Sequence, residues 1–300
     1  MAVGEGLKSE ALRAALRAAL AGRPAELEQL FTRHGGGPDP RPNLKLAAAF
    51  GDEMAGDVDA GAAARLLARL ASDDAAPDMP AVFLPMAAAY GWVGRLHARR
   101  DAGRAWAALL ELAGDERAPV RLATRDALRA YALVGGRAGE LVACGADWID
   151  AEDHEREVRF GAAALVVDLL GEHEVLAGVP VTGDALAYLG RVVAALASAP
   201  RSAERSDARR RALAALPRAL ETAVAVGGEE GLGWLEAECE GARQPGVRAA
   251  LAEAVIRVQT ANPVNGQRAR AALEGSAKPP RDPSRIRPGA GRGKATRRPR

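Results

Sequence analysis

The sequence predicts an all-α protein: an α-solenoid of about six stacked helical hairpins, followed by a disordered basic tail. Aromatic residues make up only 4% of the 300 residues and hydrophobic residues 48%. The apolar surface therefore comes from Ala, Leu and Val, which suit close helix packing, and Ala and Leu favour helices. Apolar residues also recur with the 3.6-residue period of a helix with one buried face. Finally, one sequence pattern typical of a helix recurs at regular intervals along the chain.

This recurring pattern is clearest in DERAPVRLATRDALRAYA, residues 115–132. Apolar residues at helical spacing begin at Val120 and continue to Tyr131. The acids before Val120 suit a helix N-terminus, and Pro119 suits a first turn. The Gly pair at 135–136 predicts the helix end. Residues 103–113 show a second apolar helical face, and the short connection predicts an antiparallel hairpin.

The other hairpins are found by aligning the same sequence pattern with the rest of the chain. The residues equivalent to Val120 are Leu44, Val82, Val158, Ala208 and Val247. The six positions are separated by 38, 38, 38, 50 and 39 residues, and three equal intervals indicate a repeat. The long interval contains residues 171–184, which we interpret as a loop insertion on one face of the array.

This register divides the chain into a capping helix within residues 1–23, a solenoid over 24–274 and a tail over 275–300. The capping helix is predicted at 7–21 and a short last helix at 264–274. Paired helices are predicted at 24–33/43–56, 59–71/79–98, 103–113/119–133, 137–149/155–170, 184–197/204–225 and 229–239/245–260. Pro85 and Pro217 fall inside second helices, where each is predicted to cause a kink.

A 38-residue hairpin with an acid in the turn, then Val-Arg and an Ala-rich second helix, resembles the HEAT repeat. The best matches are residues 115–132 and 152–170, and the resemblance extends over about 24–260. In both matches an Asp stands six positions before the Arg. The resemblance implies that Asp115 pairs with Arg121, and Asp153 with Arg159, through hydrogen bonds between helices and repeats. It implies an armadillo-like solenoid but no particular activity.

The chain departs from the HEAT pattern in three repeats. The Arg position holds Lys45 in the first repeat and Phe83 in the second, and the acid position of the last repeat holds Ala242. The resemblance is therefore strongest in the middle of the chain.

The sequence lacks the residue patterns of common catalytic and metal sites. Its four His residues form no HExxH motif, and its two Cys residues, Cys144 and Cys239, form no CxxC pair. It contains no GxSxG motif and no phosphate-binding glycine motif in a strand–helix context. We therefore expect no catalytic residue, no metal and no cofactor, and we interpret both cysteines as small buried hydrophobes.

The chain shows neither a signal peptide nor an apolar run long enough to span a membrane. The expected location is the cytoplasm, which also agrees with the low cysteine content.

An enzymatic alternative comes from a comparison with helical-repeat DNA glycosylases of the alkylation-repeat kind, which hold a damaged base with Trp, Asp and Arg. Trp106, Trp148 and Trp234 fall at comparable positions on first helices, which favours a packing role. Only Trp92 falls on a second helix, and it has no nearby Asp. The glycosylase hypothesis is therefore the less favoured one.

Basic residues follow the repeat register. The residue after the Val120-equivalent position is basic in five of six repeats, and Arg121, Arg125 and Arg129 stand four apart along one side of a helix. The candidate partner-binding residues are Arg121, Arg125, Arg129, Arg159, Arg209 and Arg248. The segment 201–211 adds Arg201, Arg205, Arg210 and Arg211.

If these side chains face the concave groove, they form a basic ledge for an acidic peptide or a phosphate backbone. In the alternative, the Arg after each anchor is internal and bonds between repeats, while the others are balanced by neighbouring acids. The leading hypothesis is a non-enzymatic scaffold or adaptor that binds a protein partner along the second-helix surface.

The last segment differs in composition from the rest. Residues 275–300 hold two Lys and seven Arg against one Asp, a net charge of +8, so the other 274 residues carry −6. Its scarcity of apolar residues predicts disorder. Such a tail could bind nucleic acid, lie on an anionic membrane or simply aid solubility. The candidate nucleic-acid residues are Arg281, Arg285, Arg287, Arg292, Lys294, Arg297, Arg298 and Arg300.

Overall fold

The computed structural model describes residues 3–36, 42–180 and 182–275, with side chains described from residue 10 onward. Over these residues the secondary structure is entirely helical, with fourteen α-helices, two short 3-10 helices and no strand. The prediction of an all-α fold is confirmed. The predicted disordered tail, with its eight candidate nucleic-acid residues, lies outside the described residues.

The helices follow one another with short connections. In chain order they are α1 (Val3–Leu20), α2 (Ala25–His34), α3 (Leu44–Met54), α4 (Ala60–Ala71), α5 (Phe83–His97), α6 (Ala102–Gly114), α7 (Ala118–Ala132), α8 (Arg137–Asp150), α9 (Arg156–Leu170), α10 (His173–Ala177), α11 (Thr182–Ser198), α12 (Asp207–Gly241), α13 (Pro245–Ala261) and α14 (Pro263–Gly275). The 3-10 helices span Pro80–Val82 and Arg201–Arg205.

Helices that are close in sequence pack on one another. Helix α3 contacts α5, and α5 contacts α7; further along, α9 contacts α12, and α12 contacts α13. Helices α8 and α11 also pack together. One continuous hydrophobic core, built mainly from Ala, Leu and Val, runs from Leu12 to Leu273.

Side-chain caps begin several of these helices. Oδ1 of Asn43 accepts a hydrogen bond from the backbone N–H of Leu46 at 3.2 Å, and Asp59 caps α4 in the same way at 2.7 Å from Ala62. Ser206 and Gln244 cap α12 and α13. Each cap satisfies a backbone donor that has no partner within the helix.

Glycine allows the backbones of α3 and α5 to touch. A methyl group added at Gly94 would lie 2.1 Å from the carbonyl oxygen of Gly51, and one added at Gly51 would lie 2.7 Å from the carbonyl oxygen of Tyr90. Both distances are too short for a carbon atom. The crossing of these two helices therefore depends on the absence of side chains at both glycines.

Two predictions about single elements need correction. The expected helix over 79–98 begins with a 3-10 helix, so Pro85 lies in the first turn of α5, where its missing N–H costs nothing. Residues 171–184 are not only a loop, because they include α10, in which Val175 and Leu176 are buried. The two helices predicted over 204–225 and 229–239 are confirmed, since α12 consists of two helical segments separated by a kink at Gly228, with φ 56° and ψ −128°.

Candidate functional site

An open groove of about 400 Å³ lies between α7, α9 and α12, and we call it the α7–α9–α12 groove. Eight of its twelve lining residues are Ala, Gly or Leu. The four polar lining residues are Arg121, Arg125, Arg211 and Asp168. The groove therefore combines an apolar floor with three guanidinium groups and one carboxylate.

A close contact between α6 and α9 explains why the groove exists. A methyl group added at Gly161 of α9 would lie 2.8 Å from Cα of Gly114, the last residue of α6. Helix α9 thus packs closely on the end of α6 and makes fewer contacts with α7. Small side chains such as Ala118 and Ala214 do not fill the space left between α7 and its neighbours.

Arg125 and Arg129, two of the three arginines spaced four apart on α7, form ion pairs with acids that follow on α9 and α10, and of these two only Arg125 lines the groove. Arg125 donates hydrogen bonds to Asp168 and Glu172, and Arg129 donates to Glu172. Burial alone would raise the pKa of Glu172, but the hydrogen bonds from Arg129 and Arg125 outweigh it and hold that pKa below its usual value. These pairs tie α7 to the end of α9 and the start of α10.

Arg121, the third of these α7 arginines, forms hydrogen bonds to backbone oxygens instead of to carboxylates. Its Nη1 donates to the carbonyl oxygens of Asp115 at 2.7 Å and Glu116 at 2.5 Å, and these neutral acceptors leave its charge in place. Burial lowers the pKa of the Arg121 guanidinium and the positive charge of Arg211 lowers it further, although the charges of Asp207 and Asp115 oppose this shift. Arg121 is thus a half-buried cation that faces a second cation.

Arg211 approaches from the opposite wall of the groove. It forms an ion pair with Asp207, and its Nη2 lies 3.6 Å from the point where a Cβ of Gly161 would stand. Its guanidinium therefore extends over the floor of the groove.

The remaining candidate partner-binding arginines bond to backbone carbonyls near helix ends. Arg159 donates to Ile149 at 3.3 Å, Arg209 to Leu196 at 3.1 Å and Arg248 to Leu273 at 2.6 Å. Arg209 is only 4% exposed. These three side chains are engaged within the fold, but Arg159 and Arg209 bond to the preceding helix of their own predicted hairpin, whereas the alternative interpretation expects bonds between hairpins.

The Asp–Arg pairs implied by the HEAT resemblance are not formed between side chains. The carboxylate of Asp115 accepts hydrogen bonds from Arg117 at 2.9 and 2.7 Å, while Arg121 bonds to the backbone of Asp115. Arg159 likewise donates to the end of α8 instead of to Asp153. In the turn before α7 the acid is therefore used by a nearer arginine, Arg117, which a spacing of six residues does not reveal.

The tryptophans serve packing where the structure describes their surroundings. Trp106 meets Trp148 and Tyr131 edge-on, with ring centroids 5.8 and 5.6 Å apart. Trp92, the one on a second helix, is 3% exposed and lies in the core. That burial leaves Trp92 no open ring face on which a nucleobase could stack.

Among the described residues, no group of three or more His, Cys, Asp or Glu side chains could hold a metal ion. Burial raises the pKa of both Cys144 and Cys239 to about 12, so both thiols are protonated near neutral pH. Cys239 is fully buried, as expected, whereas Cys144 is half-buried. In the part of the chain that is described, no helix is long and apolar enough to cross a membrane.

Sequence reasoning missed the acidic side of this site. Asp168 and Glu172 lie 43 and 47 residues after Arg125 in the sequence. The position 38 residues after Arg125 holds Ala163, so a search at the interval found in the sequence would not have identified either acid.

No protein-family model matches this chain, and neither the curated proteins nor the solved structures with which it was compared show a significant similarity to it. Its function is therefore inferred from its own geometry.

Proposed function

We propose that this protein is a non-enzymatic adaptor, a HEAT-like α-solenoid that holds a segment of a protein partner in the α7–α9–α12 groove. The observation that carries this proposal is the groove itself: an open space of about 400 Å³ with an apolar floor on the second helices of three hairpins. Leu122 on its wall is 62% exposed, although leucine is usually buried. A partner segment would cover this side chain.

The solenoid interpretation has support from both sequence and packing. The repeat intervals of 38 residues divide the chain into units that each hold two helices. Helices α3, α5 and α7 contact in series, as do α9, α12 and α13. Stacks in which each unit contacts mainly its neighbours offer long surfaces for binding other proteins.

The groove suits a peptide better than a nucleic acid. Small lining residues such as Ala118, Ala164 and Ala214 let a partner backbone approach closely, and its floor is mainly apolar. The body of the chain carries a net charge of −6, which opposes association with a phosphate backbone.

Groove-filling substitutions test the proposal. Ala118 and Ala214 are exposed on the groove walls, so A118W and A214W would occupy the groove with little disturbance of the core. Ala130 is an exposed residue of α7 outside the groove, and A130W is the matched control. A polypeptide that copurifies with the wild type and A130W but not with A118W or A214W supports the adaptor function. Equal recovery with all four proteins contradicts binding in the groove.

A second candidate function rests on the tail, in which nine basic residues stand against one acid. Such a segment would bind nucleic acid through phosphate contacts, with an affinity that falls steeply as salt rises. Removing residues 276–300 leaves α14 intact and should abolish binding to duplex DNA. Binding that survives this truncation would contradict the role of the tail.

A further inference from the structure

We infer that the α7–α9–α12 groove recognises a peptide segment in which an acidic side chain stands next to a large apolar one. This inference rests on the proposed adaptor function and names the chemistry of the partner. It is carried by the juxtaposition of two arginines on opposite walls above an apolar floor.

The two cations are Arg121 and Arg211. Arg121 bonds to carbonyl oxygens, and no carboxylate of the described residues lies within ion-pairing distance of it. Burial is the larger cause of the lowered pKa of Arg121, and the positive charge of the nearby Arg211 is the second. Asp207, paired with Arg211, offsets part of this repulsion from outside the groove; a partner carboxylate placed between the two arginines would offset more of it and accept hydrogen bonds from both guanidinium groups.

The apolar requirement comes from Leu122 and Leu165. Leu122 is 62% exposed on the α7 wall, and Leu165 lies on the α9 side with the alanines of the floor. A Leu, Ile, Met or Phe side chain of the partner would cover this surface and remove apolar area from water. The acid and the apolar residue must be near neighbours because both contacts lie in one groove.

Asp168 limits where the acid can sit. Its carboxylate lines the groove on the α9 side and is paired with Arg125. A partner acid at that end would face the Asp168 carboxylate inside the groove, whereas Asp207, the partner of Arg211, does not line it, so the favoured position is between Arg121 and Arg211. The groove should therefore select one position for the acid rather than a run of acids.

Charge also decides between possible occupants. The tail of this chain carries a net charge of +8 and would bring more cations to Arg121 and Arg211. A nucleic acid would place several phosphates along an apolar floor that has no aromatic side chain for base stacking. A single acid beside an apolar side chain matches both components of the groove.

The test is selection from a display library of random peptides with the full chain as bait, followed by affinity measurements on one synthetic peptide. We expect the selected peptides to place Asp or Glu near a large apolar residue. R211Q should weaken binding of the synthetic peptide by about tenfold, because a charge-assisted hydrogen bond is lost. R210Q is the matched control, since Arg210 also pairs with Asp207 but does not line the groove.

A charge exchange guards against loss of structure. If R211E binds a peptide in which Lys replaces the acid better than it binds the original, the contact is direct. Peptides without an acid, or equal losses for R211Q and R210Q, would overturn the inference and leave the adaptor function standing. Displacement of the peptide by single-stranded DNA would overturn it in favour of nucleic acid. If the wild-type chain enriches peptides no better than A118W and A214W do, the adaptor function is overturned as well.

Discussion

The guanidinium of Arg95 is fully buried and donates a hydrogen bond of 2.9 Å to Oδ2 of Asp101. It also donates to the carbonyl oxygen of Met54 at 3.3 Å, so one side chain joins the ends of α3 and α5 to the start of α6. Asp101 has a φ of 52°, a conformation that Asp and Asn tolerate better than most residues.

Neutralising Asp101 should destabilise the fold. In D101N the backbone conformation remains accessible, but Arg95 keeps a buried charge without an ionised partner. We expect the free energy of unfolding to fall by about 2 kcal/mol, measured by urea denaturation. D57N removes the exposed pair between Asp57 and Arg100 and should leave stability unchanged within error. Equal effects of the two substitutions would show that the buried pair contributes no more to stability than the exposed pair does.

Adding a methyl group at Gly94 should force α3 and α5 apart. The added carbon would lie 2.1 Å from the carbonyl oxygen of Gly51, so G94A should cost about 1–3 kcal/mol or more of unfolding free energy. Gly103 of α6 has no atom within 4 Å of an added methyl group. G103A should therefore leave thermal stability unchanged or raise it by up to about 1 kcal/mol. A normal melting temperature for G94A would contradict the described helix crossing.

Protonation of His97 should weaken the fold. Its Nδ1 lies 2.7 Å from Nη1 of Arg137, and burial followed by the Arg137 charge lowers the pKa of this imidazole, although Asp52 opposes the shift. Because the folded pKa is below the unfolded value of about 6.5, stability is lost as pH falls below about 6.5 and levels off below the folded pKa.

The substitution H97Q should reduce this loss between about pH 7 and pH 5, as measured by the free energy of unfolding at each pH. His173 is exposed, and H173Q serves as the control. An identical pH dependence for H97Q and H173Q would rule out the coupling between His97 and Arg137.

Glu172 should stabilise the contact between α7 and α10. E172Q removes the carboxylate that accepts hydrogen bonds from Arg125 and Arg129, and we expect a loss of about 1–2 kcal/mol by urea denaturation. Because the pKa of Glu172 is lowered in the folded state, its contribution is present above about pH 4.3 and disappears as pH falls through the folded pKa.

The control for Glu172 is E174Q. Glu174 lies 3.5 Å from Arg129, but its side chain is 73% exposed, so solvent screens the pair. If E174Q cost as much as E172Q, the position of Glu172 between two arginines would not explain its effect.

The helices could be predicted from sequence because their signals are local. Apolar spacing and boundary signals such as the first-turn proline Pro119 place each helix to within a few residues. The insertion was harder to interpret, because α10 has five residues, too few to show a helical period. Its burial depends on contacts with α9 and α12 that lie outside its own sequence.

The candidate site was predicted only in part, because it too depends on contacts between residues that are distant in the sequence. The spacing of Arg121, Arg125 and Arg129 placed them on one side of α7, and two of them do line the groove. The groove itself arises from the approach of Gly161 to Gly114, which are 47 residues apart in the chain. No local pattern indicates which two glycines will meet.

The bonds that Arg121, Arg159 and Arg209 donate to carbonyl oxygens each span at most 13 residues. Closing so short a stretch of chain costs little entropy, and proteins with many such local contacts fold rapidly. Each turn can therefore form soon after it leaves the ribosome, before the next one has been synthesised. The polypeptide is suited to assembling progressively from its N-terminus during translation.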